Sequence, residues 1–144
     1  MGASSKYYSS VVDNTELAPV AAATTARTCN VDCQDADYAT IRVILGAEAN
    51  TDSTNVAIQL SESNDTVVTN FATWNASYNR TVDNTAAVVA TSHIDLRGRK
   101  RYIRVTITPD TTTNGAVISG VVSSLAKNVK SGTASDFGED VIIA

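Results

Sequence analysis

One histidine and two cysteines in 144 residues leave this chain little of the chemistry that holds metals or drives nucleophilic catalysis. A Cys/His zinc site needs four ligands, and His93, Cys29 and Cys33 offer three, so carboxylates would have to complete it. There is no G-x-S-x-G elbow, Walker loop or G-x-G-x-x-G run. His93 stands in ATSHIDL with no Ser or Cys motif around it, and reads as a surface or hydrogen-bonded residue rather than a general base. Leu, Glu, Lys and Gln, all strong helix formers, are scarce. Positive charge is short as well: 11 Lys and Arg against 15 Asp and Glu give a net charge of −4, and the sequence pI is near 4.8. That balance disfavours a nucleic-acid surface. No apolar run approaches the roughly 18 residues of a membrane span. The start, MGASSKYYSS, lacks the apolar stretch of a signal peptide, and Lys6 stands where a myristoylation signal needs Ser or Thr. The expectation is a soluble protein made in the cytoplasm, with no catalytic residue, no cofactor, no metal, and neither nucleic acid nor membrane as partner.

The two cysteines are four residues apart. In a straight strand that is about 13 Å, too far for a disulfide, so they pair only if the chain turns between them. Otherwise they are reduced, partly buried thiols.

What the chain does have is Val and Thr, followed by Ser, Asn, Ile and Tyr. β-Branched side chains pack well on a pleated surface, while Asn, Ser and Asp favour turns. A chain of this length fits one domain and can bury enough surface to fold without disulfide or metal. The two-residue period of strands recurs through its middle. Ala39, Ile41, Val43 and Leu45 share a face in YATIRVILG, which Gly46 ends. Val56, Ile58 and Leu60 alternate with polar or small residues in NVAIQLSES. Ser63-Asn64-Asp65 reads as a turn into Thr66-Val67-Val68, after which Phe71 and Trp74 would lid one end of the core. AAVVAT, then Ile94 and Leu96, lead to a strand with Ile103, Val105 and Ile107 on one face and Tyr102, Arg104, Thr106 and Thr108 on the other. PDTTTNGA turns into the partner strand AVISGVVSSLA. The fold expected is an all-β, antiparallel, jelly-roll-like sandwich of about six to eight strands. Residues 1–26 read as an N-terminal arm, 27–126 as the sandwich domain, and 127–144 as a C-terminal tail ending in an apolar tip.

Three stretches invite a chemical reading. Asp32, Asp35 and Asp37 in VDCQDADY resemble part of a calcium loop, but the Gly and the distant Glu such a loop needs are missing, and Asp is an ordinary turn residue. The N-x-S/T sequons at Asn64, Asn75 and Asn79 are expected by chance in so Asn- and Thr-rich a chain. The third is RGRKRYIRVTIT, Arg97 to Thr108, which gathers five of the eleven cations. A polyanion site would want basic charge spread over a face with several aromatics, and Tyr102 alone is no platform. The economical reading is structural. Arg97, Gly98, Arg99 and Lys100 form a turn whose charges discourage stray edge pairing. Arg101 shares the Ile103 side, with Asp95 and Glu62 as expected partners, and Tyr102 and Arg104 face outward.

Taken in order, VDCQDADYATIRVILG, VAIQLSESND, RGRKRYIRVTIT and AVISGVV resemble the small head-decoration (capsid cement) proteins of tailed bacteriophages. The resemblance spans roughly residues 30–125 and leaves the two arms uncovered. The usual turn of that family is of a Gly-Asn-Lys-Arg-Tyr type, whereas this chain reads Arg97-Gly98-Arg99-Lys100-Arg101-Tyr102. The resemblance implies a jelly-roll-like β protein that binds the outer capsid surface of the virion. Its partners would be the phage major capsid protein, whose shell it strengthens, and further copies of itself as a homo-oligomer, with a trimer favoured and a dimer possible. Interface residues expected on that basis are Tyr7, Tyr8, Val11, Val12 and Leu17 in the arm, Arg97, Arg99, Lys100, Tyr102 and Arg104 at the basic strand entry, and Val141, Ile142 and Ile143 at the tip. Acidic Asp136, Glu139 and Asp140 would pair with the basic turn of a neighbour. The alternative is another virion β-module, of tail or fibre, that recognises a host glycan, although Trp74 and the tyrosines do not cluster in the sequence.

Overall fold

In a computed structural model, the described residues are 11–47, 54–74, 77–110, 116–126 and 141–143, with backbone alone described for 11–16, 20–22 and 141–143. They form eleven strand segments: β1 Val11–Leu17, β2 Val20–Ala23, β3 Arg27–Asp32, β4 Tyr38–Leu45, β5 Thr54–Ser63, β6 Ala72–Thr73, β7 Tyr78–Val82, β8 Val88–Asp95, β9 Tyr102–Pro109, β10 Ala116–Ala126 and β11 Val141–Ile143. A 3-10 turn at Val68–Asn70 lies between β5 and β6.

The strands lie in two sheets. One runs β1-β10-β4-β8-β11 with β2 also on β10, and the other runs β3-β9-β5-β6 with β7 also on β5. The pairing is nested. β5 pairs with β7, and outward from that hairpin β4 pairs with β8, β3 with β9, and β1 and β2 with β10, all antiparallel. Successive partners alternate between the sheets, so the chain is rolled as a doubled ribbon. That is the jelly-roll arrangement, expected from the sequence and present here.

Between the sheets, period-two alternation puts Ile41, Val43 and Leu45 from β4, Val56, Ile58 and Leu60 from β5, and Ile103, Val105 and Ile107 from β9 at 0–1% exposure. Each such side chain contributes about 1.5–3 kcal/mol on burial. Ile118 and Val121 of β10 and Val31 of β3 close the layer. Cys29 and Cys33 are buried thiols of this core, not a disulfide. Gly46 follows the end of β4, and its lack of a side chain is required there, since a Cβ would stand 2.8 Å from Cγ1 of Val117.

The boundary expected at residue 26 is not where the sheet begins. Val11 pairs with Ala126 and Leu17 with Val121, and β2 continues along the same edge of β10. Leu17 and Ala23 pack on the core. No period shows in the sequence here because the edge strand is broken: the register shifts between Thr15 and Leu17, and Pro19, which has no N–H to give a ladder, separates β1 from β2. The tail likewise returns to its own sheet, as β11 pairs in parallel with β8, Val141 opposite Thr91. The segments read as AAVVAT and SHIDL are parts of one strand, β8.

Candidate functional site

The basic turn sits where β8 crosses to β9, and Gly98 adopts φ +83°, a conformation glycine reaches without the Cβ clash. Around it the ends of five strands, β3, β4, β8, β9 and β10, converge. The N–H of Cys33 donates to the Arg101 carbonyl at 2.8 Å, that of Asp37 to the Ala126 carbonyl at 2.9 Å, and that of Leu96 to the Asp37 carbonyl at 2.8 Å.

Each arginine of the turn has a carboxylate. Arg97 forks onto Asp95, with Nε 2.9 Å from Oδ1. Arg101 forks onto Asp32 at 2.9 and 2.7 Å. Arg99 lies 3.9 Å from Glu62, whose other oxygen accepts the Lys100 N–H at 3.3 Å. The Arg97 guanidinium holds the Asp95 carboxyl at about 2, well under its ordinary 3.8, and Arg101 lowers Asp32 in the same way. Arg101 therefore differs from expectation: its guanidinium is exposed and reaches across to β3, where Asp32 stands opposite Tyr102 in the register, while Asp95 and Glu62 serve Arg97 and Arg99. Sixty-nine residues separate Arg101 from Asp32, so only the β3–β9 pairing brings them together. The same contact uses Asp32 of the acidic trio, which also caps Gln34 as a turn residue does.

The aromatics belong to the same construction. Guanidinium groups lie over Tyr38 (Arg97, 5.2 Å), Trp74 (Arg99, 4.7 Å), Tyr102 (Arg101, 4.8 Å), Phe71 (Arg104, 3.8 Å) and, on β7, Tyr78 (Arg80, 5.5 Å). Each of the five aromatic rings among the described residues thus has one face under an arginine, a geometry that favours the cation. Trp74 packs on the core as expected. Phe71 instead lies outside the second sheet beneath Arg104, which also donates from Nε to Asn30 Oδ1 at 2.9 Å and from Nη1 to the Val68 carbonyl at 3.4 Å.

That last bond ties down the 64–71 turn. The turn expected at Ser63-Asn64-Asp65 is present and runs on through Thr66-Val67-Val68 into a 3-10 turn: the Asp65 carboxylate accepts from the Val67 N–H at 2.9 Å and from Asn70 Nδ2 at 2.9 Å, while its own N–H donates to Ser63 Oγ at 3.2 Å. The Asn70, Val67 and Ser63 bonds lower its pKa, with Lys100 adding a smaller attraction. The signal is present in the sequence as Ser-x-Asp-x-Val, a side-chain-capped turn. What sequence reasoning missed is that the two valines after it are left in water, Val67 at 53% and Val68 at 70% exposure.

His93 is buried on β8, its Nδ1 2.8 Å from Thr40 Oγ1; it is hydrogen-bonded, as expected, but it is not a surface residue. Burial raises the Tyr78 phenol, which meets Ser92 Oγ at 3.0 Å. A cleft of about 330 Å³ beside the basic turn is lined by Cys33, Gln34, Asp35, Ala36, Leu96, Arg99, Lys100 and Arg101, but Arg99 and Arg101 are already held by Glu62 and Asp32. Among the described residues no group of three His, Cys, Asp or Glu could hold a metal ion. Of the expected interface residues, Arg97, Arg99, Lys100, Tyr102 and Arg104 come together at this end; Val11, Val12 and Val141 to Ile143 are in sheet strands; Tyr7, Tyr8, Asp136, Glu139 and Asp140 lie outside the described residues.

Fold and site together define a jelly-roll β-sandwich whose charged end is locked internally. No protein-family model and no curated protein matches the chain. Among solved structures it is similar to CBM35, a carbohydrate-binding module from Cellvibrio japonicus Abf62, with 13% identity over 86% of this chain and 99% of that one and a TM-score of 0.48. It is also similar to a Bacillus endospore appendage protein of the disulfide-linked pili, with 18% identity over 83% and 90% of the two chains and a TM-score of 0.43. A third is an exo-β-1,3-galactanase from Phanerochaete chrysosporium, 7% identical over 81% of this chain and 28% of that one, with a TM-score of 0.42. Likenesses this distant do not choose between functions.

Proposed function

We propose that the protein is a structural component of a phage virion, a decoration module that docks on the outside of the capsid and reinforces the major capsid protein shell. The observation that supports this reading is the convergence of the segments that resemble decoration proteins. They are far apart in the chain, yet VDCQDADY, QLSESND and RGRKRYIR meet at one end of the sandwich through Asp32–Arg101, Glu62–Arg99 and the Glu62–Lys100 bond. The segments that carry the resemblance thus form one interlocked unit in this chain. A rigid body of this kind suits a cement role, because a lattice supplies many weak contacts at once and multivalency raises their sum. For the glycan alternative, the five rings among the described residues offer a sugar at most one face each, because an arginine lies over the other.

The test is direct. Undecorated shells of the cognate major capsid protein, mixed with the purified protein, should take it up stoichiometrically and disassemble at a higher temperature. Failure to bind such shells, together with a glycan-array signal, would replace this reading with the glycan one.

A further inference from the structure

The charged end of the sandwich is closed in charge but not in hydrogen bonds. The cleft of about 330 Å³ beside the basic turn has Cys33 and Leu96 in its apolar wall, and Asp35, Arg99, Lys100 and Arg101 supply its charge. That is room for a small molecule or a single side chain. Its cations differ in how far they are engaged. Arg101 gives Nε and Nη2 to Asp32. Arg99 has nothing comparable: the nearest carboxylate oxygen, on Glu62, is 3.9 Å from Nη1, an ion-pair distance beyond hydrogen-bond reach. Glu62 turns its other oxygen to the Lys100 N–H instead. Among the described residues, neither the Arg99 guanidinium nor the Lys100 ammonium has a hydrogen-bond acceptor.

Arg99 is nonetheless fixed in place. Its side chain is only 30% exposed, and its guanidinium lies 4.7 Å over the Trp74 ring. Neither Trp74 nor Glu62 lines the cleft, so they back Arg99 from the side away from it. A guanidinium largely withdrawn from water, with its N–H donors unmatched, calls for an acceptor.

The charge balance decides which acceptor. Arg99, Lys100 and Arg101 are offset by Asp35 in the cleft and by Glu62 and Asp32 behind it, while Asp65 attracts Lys100 more weakly. The Arg97–Asp95 pair beside them is neutral as a unit. A dianion such as sulfate would load this balance with two negative charges. A monocarboxylate brings one, and its paired oxygens match the fork of a guanidinium. Asp35, exposed at the rim, opposes even that single charge.

We propose that the cleft is a carboxylate site, with Arg99 as its fork and Lys100 as its second donor. The carboxylate belongs to a small organic acid or to an acidic side chain of another protein. The inference stands apart from the capsid reading, because neither the site nor its test involves a shell.

Trp74, the one tryptophan of the chain, lies under Arg99 and reports on it. Sodium propionate, titrated at constant ionic strength against sodium chloride, should change the Trp74 emission saturably, with half-saturation at about 1–10 mM for one charge-assisted fork open to water. Sodium sulfate should give no saturable change, and Arg99→Gln should abolish the propionate response. Because Arg99→Gln also alters the surroundings of the ring, Asp35→Asn supplies an independent arm. It leaves Arg99 and Trp74 in place and keeps a residue type that tolerates the φ of +62° at this position. It should tighten propionate binding about threefold, the size of one exposed charge interaction. The capped tripeptide acetyl-Gly-Glu-Gly-amide identifies the source: binding tighter than propionate assigns the site to a protein side chain, and equal or weaker binding assigns it to a free acid. No saturable change with propionate, a sulfate response as strong, a response that survives Arg99→Gln, or no tightening in Asp35→Asn would each overturn the proposal.

Discussion

The basic turn at residues 97–104 and the acidic-capped turn at residues 64–71 lie side by side at one end of the sandwich and solve opposite problems. In the first, the side chains satisfy one another: Arg97, Arg99 and Arg101 each meet a carboxylate and an aromatic ring. In the second, the side chains of Ser63, Asp65 and Asn70 satisfy the backbone and one another, and the valines they display stand in solvent. Local charge density is therefore a poor guide to the surface this molecule leaves open. The conspicuous cluster closes its charges on itself, and the bland Thr-Val-Val stretch stands in water.

Trp74 is where this contrast can be broken most visibly. Trp74→Ala removes the ring that both packs on the core and carries Arg99, and should cost about 2–4 kcal/mol in urea denaturation, somewhat below a fully buried aromatic. A loss under about 1 kcal/mol would mean that the charged end is not a cooperative part of the fold. Glu62→Ala comes next. It strips the acceptor from the Lys100 N–H and the carboxylate from Arg99, with an expected loss of about 1–3 kcal/mol for groups left unsatisfied, read in the same experiment.

Acidification should then act on both turns together. Asp32, Asp65 and Asp95 have pKa values below the ordinary 3.8, Asp95 at about 2. A depressed carboxylate stabilises the fold above its unfolded value, and that stability is lost as pH falls through the folded value. Stability should be nearly flat from neutrality to about pH 5 and fall between about pH 4 and pH 2, and Asp95→Asn should make that fall shallower. A decline already under way near pH 6 would point to another group. The smallest effect is expected from Val68→Ser, which should leave monomer stability within about 0.5 kcal/mol of wild type. A larger loss would show that Val68 packs against its own chain.

Much of the sandwich is legible from period-two patterning, because β4, β5 and β9 each bury one face against the opposite sheet. Ile41, Ile58, Ile103, Val105 and Ile107 sit where alternation puts them. The N-terminal strands are not legible, since a register shift and Pro19 erase their period, and their role depends on β10, far away in sequence. The partner of Arg101 escapes a linear reading for a related reason: Asp95 and Glu62 are near in the pattern, but Asp32 is near in the sheet. At the 64–71 turn, the capping residues are readable, whereas the exposure of Val67 and Val68 depends on where β6 and Arg104 lie, which no local pattern records.

The nested pairing also orders the making of the protein. β1 and β2 have β10 as their sheet partner, so strands made before the rest of the sandwich wait until nearly all of it has followed. β5 and β7 are close in the chain and can close their hairpin early, after which β4 with β8 and β3 with β9 enclose ever longer loops, each at a growing entropic cost. Long-range pairing of this kind places folding in the millisecond-to-second range typical of β-sandwiches. A chain halted before residue 116 would leave β1 and β2 without their sheet partner and one edge of β4 bare, so completion of the first sheet waits on that one late strand.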